Sequence, residues 1–264
     1  MPDEYSIYQK YNSFIFDLDG TIYRGEHLIE NAGTTINTIK GSGNRLIFVS
    51  NKTTETIEDY YLLLTGFGLN ISKDEIVNST LVLKKYLSQN CRGKEFFAIG
   101  EEKFVDEIIE AGLKYSTNPQ EIKLVLVTLD RTFNYEKLEI AARAIENGAS
   151  FFAANIDDTC PVDNGEVLDA GSTISALEKR THRKLEMHFG KPSDFMIKEI
   201  SYRFNGDLSK TLLIGDRIET DIKMGITMGI DTALVKTGVK YYTNGNENIT
   251  PTYHIKSVFD LIKS

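Results

Sequence analysis

Short apolar runs alternate with helix-patterned stretches along almost the whole chain, and few folds accept that alternation. The runs cover residues 13–17, 45–50, 95–99, 124–128, 150–154, 211–215 and 232–236. Helical spacing fills 55–64, 103–111, 135–146, 172–179 and 194–204 between them. The runs are apolar without a break and rich in β-branched and aromatic residues, so both faces of each strand must be covered. Parallel strands with helices on either side meet that demand. The pattern therefore predicts an α/β fold with a parallel sheet.

The chain has 264 residues, enough for one large domain or two of moderate size. Polar loops around residues 89–93 and 180–184 bracket a middle segment of about three strand–helix units. That segment is expected to be a second domain inserted into the first: 1–80 plus 187–264 form the core and 81–186 the insertion. A formal charge of −8 gives no electrostatic footprint for nucleic acid or an anionic membrane surface. The N-terminus lacks a basic start followed by an apolar stretch, and no run approaches the length of a membrane span, so a cytoplasmic protein is expected. Cys91 and Cys160 cannot build a disulfide framework, and His27, His182, His188 and His254 show no metal-ligand spacing.

The chemistry is concentrated at strand ends. Asp17 and Asp19 stand where Phe14-Ile15-Phe16 stops, and Gly20-Thr21 turn the chain there. In open parallel sheets, ligands bind outside the carboxyl ends of the strands. Two carboxylates so close require a cation between them or a shared proton. About 200 residues later, Leu212-Leu-Ile-Gly215-Asp216 repeats the arrangement, and Asp221 falls near the first turn of the following helix. Three such aspartates around one crevice describe a site for a hard cation such as Mg²⁺. Ser50, Asn51 and the Lys52-Thr53-Thr54 stretch offer a hydroxyl, an amide and helix N-terminal N–H groups, which favour phosphate. Lys191 is held between Gly190 and Pro192 just before a helix. Each piece alone is an ordinary turn, cap or surface charge; the set is not.

In this order, Asp17-Leu-Asp19-Gly-Thr21, Ser50-Asn51, Lys191 and Gly215-Asp216 with Asp221 resemble the four motifs of the haloacid dehalogenase superfamily of phosphatases. More narrowly, the chain resembles the NagD/p-nitrophenyl phosphatase branch (subclass IIA). Tyr23-Arg24-Gly25, Ala154-Asn155-Ile-Asp157 with Pro161, and Gly190-Lys191-Pro192 support that branch. Two details depart from it: Ser50-Asn51-Lys52 stands where relatives often have Thr-Asn-Asn, and Leu168-Asp169-Ala170-Gly171 replaces a common Pro-Gly cap turn.

The resemblance implies a Rossmann-like core with an inserted α/β cap of the C2a type. It implies a Mg²⁺-dependent phosphatase acting on a small phosphorylated metabolite, with Asp17 as nucleophile and Asp19 as general acid and base. Mg²⁺ would be held by Asp17, Asp216 and the backbone carbonyl of Asp19. Ser50, Asn51 and Lys191 would hold the phosphoryl oxygens, and Asp221 would orient Lys191 or the hydration of the ion. A cap-mediated homodimer is compatible with the sequence. Two other readings share the nucleophile or the fold: a phosphomutase and a non-catalytic sugar-phosphate sensor. Mutases of the superfamily usually carry a helical cap between the first two motifs, and the stretch from Asp17 to Ser50 is too short for one. A complete set of acid/base, metal and phosphate groups weighs against the sensor. Asn155, Asp157 and Asp158 read as a polar turn slightly better than as substrate contacts.

Overall fold

The computed structural model describes residues 6–162, 165–238 and 249–263. Residues 1–5, on which the reading of the N-terminus rests, lie outside the described residues. Two separate parallel sheets organise the chain. The first has six strands in the order Tyr253–Ile255, Asp231–Val235, Thr211–Gly215, Ser13–Asp17, Arg45–Ser50 and Ile76–Asn78. Ser13–Asp17 is thus an interior strand although it comes first in sequence. Successive strands are laid down on one side of it, and the chain later returns to the other side, so it borders a topological switch point.

The second sheet has five strands in the order Met187–His188, Ser150–Ala153, Leu124–Val127, Glu95–Ile99 and Lys114–Tyr115. It lies wholly between two strands of the first, as an inserted cap must. Helix Ser79–Asn90 carries the chain out of the first sheet, and helix Asp194–Arg203 follows its return. Both helices are secured by side chains at their starts: Asn78 accepts from Leu81 N at 2.8 Å and Ser193 from Met196 N at 3.2 Å.

Strand alternation divides the interior. Phe14, Phe16, Phe48 and Ile214 pack with Ile36 and Ile39 of helix Ala32–Gly41 on one face of the first sheet. Ile15, Ile47, Val49 and Leu213 belong to the other face. There they join Leu83, Leu87, Met196 and Ile200, and the same cluster continues into Phe96, Leu126 and Phe152 of the second sheet. The two helices therefore form a shared apolar layer that fixes the cap sheet to the core sheet. Among the described residues, no helix is long and apolar enough to cross a membrane.

Every expected strand is present, four with the expected bounds and the other three shifted by one residue. The structure adds two helices, Ala32–Gly41 and Ser79–Asn90, and the short strands Ile76–Asn78, Tyr253–Ile255, Lys114–Tyr115 and Met187–His188. Two short antiparallel strand pairs are also present, Tyr23–Arg24 with His27–Leu28 and Thr159–Val162 with Gly165–Leu168.

Candidate active site

Asp17 is the last residue of its strand, and Asp216 follows the last residue of the adjacent strand Thr211–Gly215. Both are buried, and so is Asp221 in the π-helical turn Ile218–Ile222. The three carboxylates present oxygens that all lie within 4.8 Å of one another. Lys191 reaches them from the segment that follows the second sheet. Its Nζ donates to Asp17 Oδ1 at 2.5 Å and to Asp221 Oδ1 at 2.7 Å, and only 3% of the residue is exposed. Segments distant in sequence thus meet at the switch point.

Glycines make room for this convergence. A Cβ on Gly238 would stand 1.8 Å from Asp216 Oδ2, and one on Gly20 would stand 2.7 Å from the same oxygen. Gly20 also has φ +85°, a conformation that side chains disfavour. A Cβ on Gly215 would lie 2.2 Å from Asp221 Cγ.

The charge balance is incomplete. Burial, opposed by Lys191 but reinforced by Asp221 and Asp216, holds the Asp17 carboxyl well above the usual carboxylate range. Burial pulls the Lys191 ammonium down, yet Asp17 and Asp221 more than offset it, and the net shift is upward. Lys191 Nζ pairs with two of the three carboxylates, and burial lowers the nearby Arg217 guanidinium less than the charges of Asp157, Asp216, Asp221 and Asp17 raise it. Asp17 Oδ2 is buried and has no hydrogen-bond partner. A low-dielectric site with one orphaned oxygen and surplus negative charge fits a divalent cation.

Asp19 extends from the turn beyond Asp17. Tyr23 OH donates to its Oδ2 at 2.9 Å, and Lys52 Nζ reaches its Oδ1 at 3.5 Å. Burial and then the Asp19 charge push the Tyr23 phenol well above its ordinary value, so it stays a donor. Burial lowers the Lys52 ammonium less than Asp19 raises it in company with Cys160 and Glu55, and it stays charged. Ser50 ends its strand with its Oγ 3.0 Å from Tyr60 OH, and it accepts from Lys52 N at 3.1 Å. Asp17, Asp19, Ser50, Asn51, Lys191 and Asp216 all line one solvent-open cleft.

Asn51 is committed differently from the simple phosphate contact expected of it. Its Oδ1 accepts from Lys191 N at 2.7 Å, while its Nδ2 donates to Asp157 Oδ2 at 2.8 Å and to Lys191 O at 3.3 Å. It therefore braces the Lys191 peptide against a cap carboxylate. The helix after Ser50 also differs from expectation. It begins at Ile57, and Thr56 caps it by accepting from Asp59 N at 3.1 Å. Thr53 and Thr54 lie in the loop before it, and Thr53 Oγ1 pairs with Thr128 Oγ1 of the cap.

The cap wall of the cavity comes from Asp157, Thr159, Cys160, Pro161 and Asp169. Burial and the Asp19 charge push the Cys160 thiol up to about 12, which makes it a poor nucleophile at neutral pH. Arg217 crosses from the core and donates to Thr159 O at 2.7 Å. Arg24 is exposed, whereas Arg217 borders the cavity, and no local pattern in the sequence distinguishes the two arginines. Tyr23, Tyr60 and Asp169 were also missed as site residues: Tyr23 reaches Asp19 across a turn of four residues that apolar patterning does not reveal, and Tyr60 and Asp169 meet their partners only once strand ends and loops are folded together.

Models of two families match the chain: a haloacid dehalogenase-like hydrolase over residues 14–114 and a HAD-hydrolase-like family over 188–261. The chain is 32% identical to the sugar-phosphatase AraL of Bacillus subtilis, over 94% of this chain and 91% of that one. It is 31% identical to the 5′-nucleotidase YutF of the same organism, over 96% and 98%. Among solved structures, a 4-nitrophenylphosphatase from Thermotoga maritima superposes with a TM-score of 0.86 at 27% identity, covering 98% of both chains. A glycerol phosphate phosphatase from Mycobacterium tuberculosis, in complex with magnesium, superposes at 0.85 with 26% identity, covering 98% of this chain and 78% of that one.

Proposed function

The chain belongs to the haloacid dehalogenase-like hydrolases of the NagD/p-nitrophenyl phosphatase type, and from that premise we propose how its residues hydrolyse a phosphate monoester. The protein is a phosphatase, and its substrates are small phosphate monoesters such as sugar phosphates, nucleotides or aryl phosphates. The single observation that carries the assignment of roles is the buried Lys191 ammonium bridging Asp17 and Asp221 beside Asp216.

Asp17 is the nucleophile. Its carboxylate attacks phosphorus, the ester oxygen leaves, and the resulting aspartyl-phosphate splits one difficult displacement into two. Asp19 gives a proton to the leaving oxygen and later takes one from the water that cleaves the acyl phosphate. Tyr23 and Lys52 hold its two oxygens in place for both transfers. Lys191 and Ser50 hold phosphoryl oxygens, Asn51 keeps the Lys191 peptide in register, and Asp221 steadies the ammonium from behind. The cofactor is Mg²⁺, held by Asp17, Asp216 and the carbonyl of Asp19; when bound it supplies the positive charge that lets an anionic nucleophile meet an anionic ester. Charge stabilisation and alignment account for most of the acceleration in reactions of this kind.

The catalytic body takes residues 1–80 and 187–264 and the cap 81–186, except that the strand Met187–His188, which pairs with Ser150–Ala153, carries the cap sheet two residues past that boundary. The cap excludes water from the acyl phosphate until the leaving group departs. The enzyme works in the cytoplasm, and a homodimer through the cap completes the proposal.

The experiment is phosphate release from a panel of monoesters with and without Mg²⁺, on wild type and on Asp17→Asn. Wild type requires the metal, and the variant loses at least about 10³-fold in kcat while retaining its circular dichroism. Substantial turnover by folded Asp17→Asn contradicts the nucleophile assignment.

A further inference from the structure

The cap sheet has two ends. Asp157, just past the carboxyl end of Ser150–Ala153, lines the catalytic cleft. At the amino ends of the same strands lies a separate cavity of about 300 Å³, which shares no lining residue with that cleft. The end of helix Ser79–Asn90 forms one wall, and the first residues of Leu124–Val127, Ser150–Ala153 and Met187–His188 form the other.

Its lining is of two kinds. Tyr86, Leu124, Phe152 and Met187 supply an apolar floor, with the Tyr86 and Phe152 rings edge to face at 6.2 Å. Lys94 and Lys123 stand exposed at the rim. Among the described residues neither forms an ion pair, and Lys94 Nζ has only a long contact to Cys91 Sγ at 4.0 Å. The carboxylate in the lining, Glu186, is already engaged: its Oε1 accepts from Phe151 N at 3.3 Å and from Arg183 Nη2 at 3.2 Å. Two ammoniums without a carboxylate partner reverse the sign of charge locally on a chain whose net charge is −8. An anionic head at the rim and a flat apolar body on the aromatic floor satisfy both halves of the lining. A cation would be repelled by both lysines, and a neutral body would leave them unpaired.

The floor leads towards the catalytic lysine. Tyr86 packs on Phe189 at 5.1 Å and on Phe195 at 5.3 Å, and Phe152 packs on Phe189 at 6.1 Å. Phe189 is fully buried and stands two residues before Lys191. The cavity also touches both crossings between core and cap: helix Ser79–Asn90 carries the chain out, and Met187–His188 is the last cap strand before its return. A ligand seated between these walls favours the arrangement in which they meet over one in which they part. Cap motions of that kind gate substrate entry and product release.

We propose that this cavity binds a flat aromatic anion, its charge on Lys94 and Lys123 and its rings on Tyr86 and Phe152, and that binding there slows turnover without occupying the catalytic cleft. The binding site is independent of the phosphatase reading; only the kinetic half of the test rests on it.

The probe is 8-anilinonaphthalene-1-sulfonate, titrated by fluorescence with Mg²⁺ and inorganic phosphate present to fill the catalytic cleft. Wild type is expected to bind it at one site, and Lys94→Glu/Lys123→Glu to bind it at least about tenfold more weakly, because the charge that meets the sulfonate is reversed. Lys94→Gln/Lys123→Gln should fall between the two, and it carries the comparison if the reversed variant does not fold. In turnover of p-nitrophenyl phosphate, saturating probe should lower kcat of wild type at least threefold and leave that of the reversed variant unchanged. No binding to wild type, or equal binding to all three proteins, overturns the proposal. A raised KM with kcat unchanged, the same in every protein, places the probe in the catalytic cleft and also overturns it. Binding that depends on the lysines but leaves kcat untouched overturns the effect on turnover. Absence of hydrolysis altogether removes the phosphatase reading, and the binding comparison still decides the site.

Discussion

Asp169 carries a stability cost that can be measured apart from catalysis. Its folded pKa, about 6, lies above the ordinary carboxylate value of 3.8. The sign follows from linkage: a carboxyl whose pKa is raised on folding stabilises the fold below its unfolded value, and that contribution is lost as pH rises through the folded value. Asp169→Asn, which cannot ionise, should therefore unfold like wild type near pH 3.8 and be more stable at pH 7, by about 3 kcal/mol. Urea denaturation of both proteins at the two pH values checks this. Equal stability at both, or a gain confined to acid, contradicts the buried, poorly compensated carboxylate. At this scale the sequence was only partly legible. Asp17, Asp19, Asp216 and Lys191 were visible because strand ends and flanking glycines single them out. Asp169 and Arg217 were not, since a cap turn and a lone arginine look like solvated groups until the fold buries them.

Elements position the site through what they lack as well as what they carry. The strand Thr211–Gly215 ends on glycine so that Asp221 can fold back against it. Gly215→Ala would force Asp221 away from its contacts with Lys191 Nζ and Arg217 N. We expect kcat to fall by about 10²-fold, because displacements near 1 Å at a reacting centre have that effect. Circular dichroism should stay unchanged, and kinetics within threefold of wild type would refute the close packing. The elements that sequence patterning found are those with long apolar runs. Ile76–Asn78 and Tyr253–Ile255 have only three residues, too few to establish a period. Helix Ala32–Gly41 is rich in Thr, Asn and Gly, weak helix formers, and is held by Ala32, Thr35, Ile36 and Ile39 against the core.

Across the whole molecule, core and cap are joined by a buried polar chain as well as by the apolar layer. Thr53 meets Thr128, Thr128 Oγ1 donates to Asn155 Oδ1 at 3.1 Å, and Asn155 leads through Asp157 to Asn51 and the Lys191 peptide. Such networks are worth most when complete. Thr128→Val preserves shape but leaves Thr53 Oγ1 and Asn155 Oδ1 unpaired, at a cost of about 1–3 kcal/mol. Faster amide exchange in the loop 51–56 and in 153–158, with core strands unchanged, is the expected outcome; uniform exchange would show that the chain does not couple the two parts. No sequence pattern predicted this coupling, because its members lie far apart along the chain and each looks locally like a turn residue.

The central claim, that Asp17 carries the phosphoryl group, can be tested on the protein in turnover. The enzyme, mixed with p-nitrophenyl phosphate and Mg²⁺, is quenched within a turnover and treated with borohydride, which reduces an acyl phosphate to an alcohol, and its peptides are then read by mass spectrometry. The account predicts conversion of residue 17 alone to homoserine, dependent on substrate. Substrate-dependent phosphate release with Asp17 recovered intact, or conversion at Asp19, Asp216 or Asp221 instead, would contradict it.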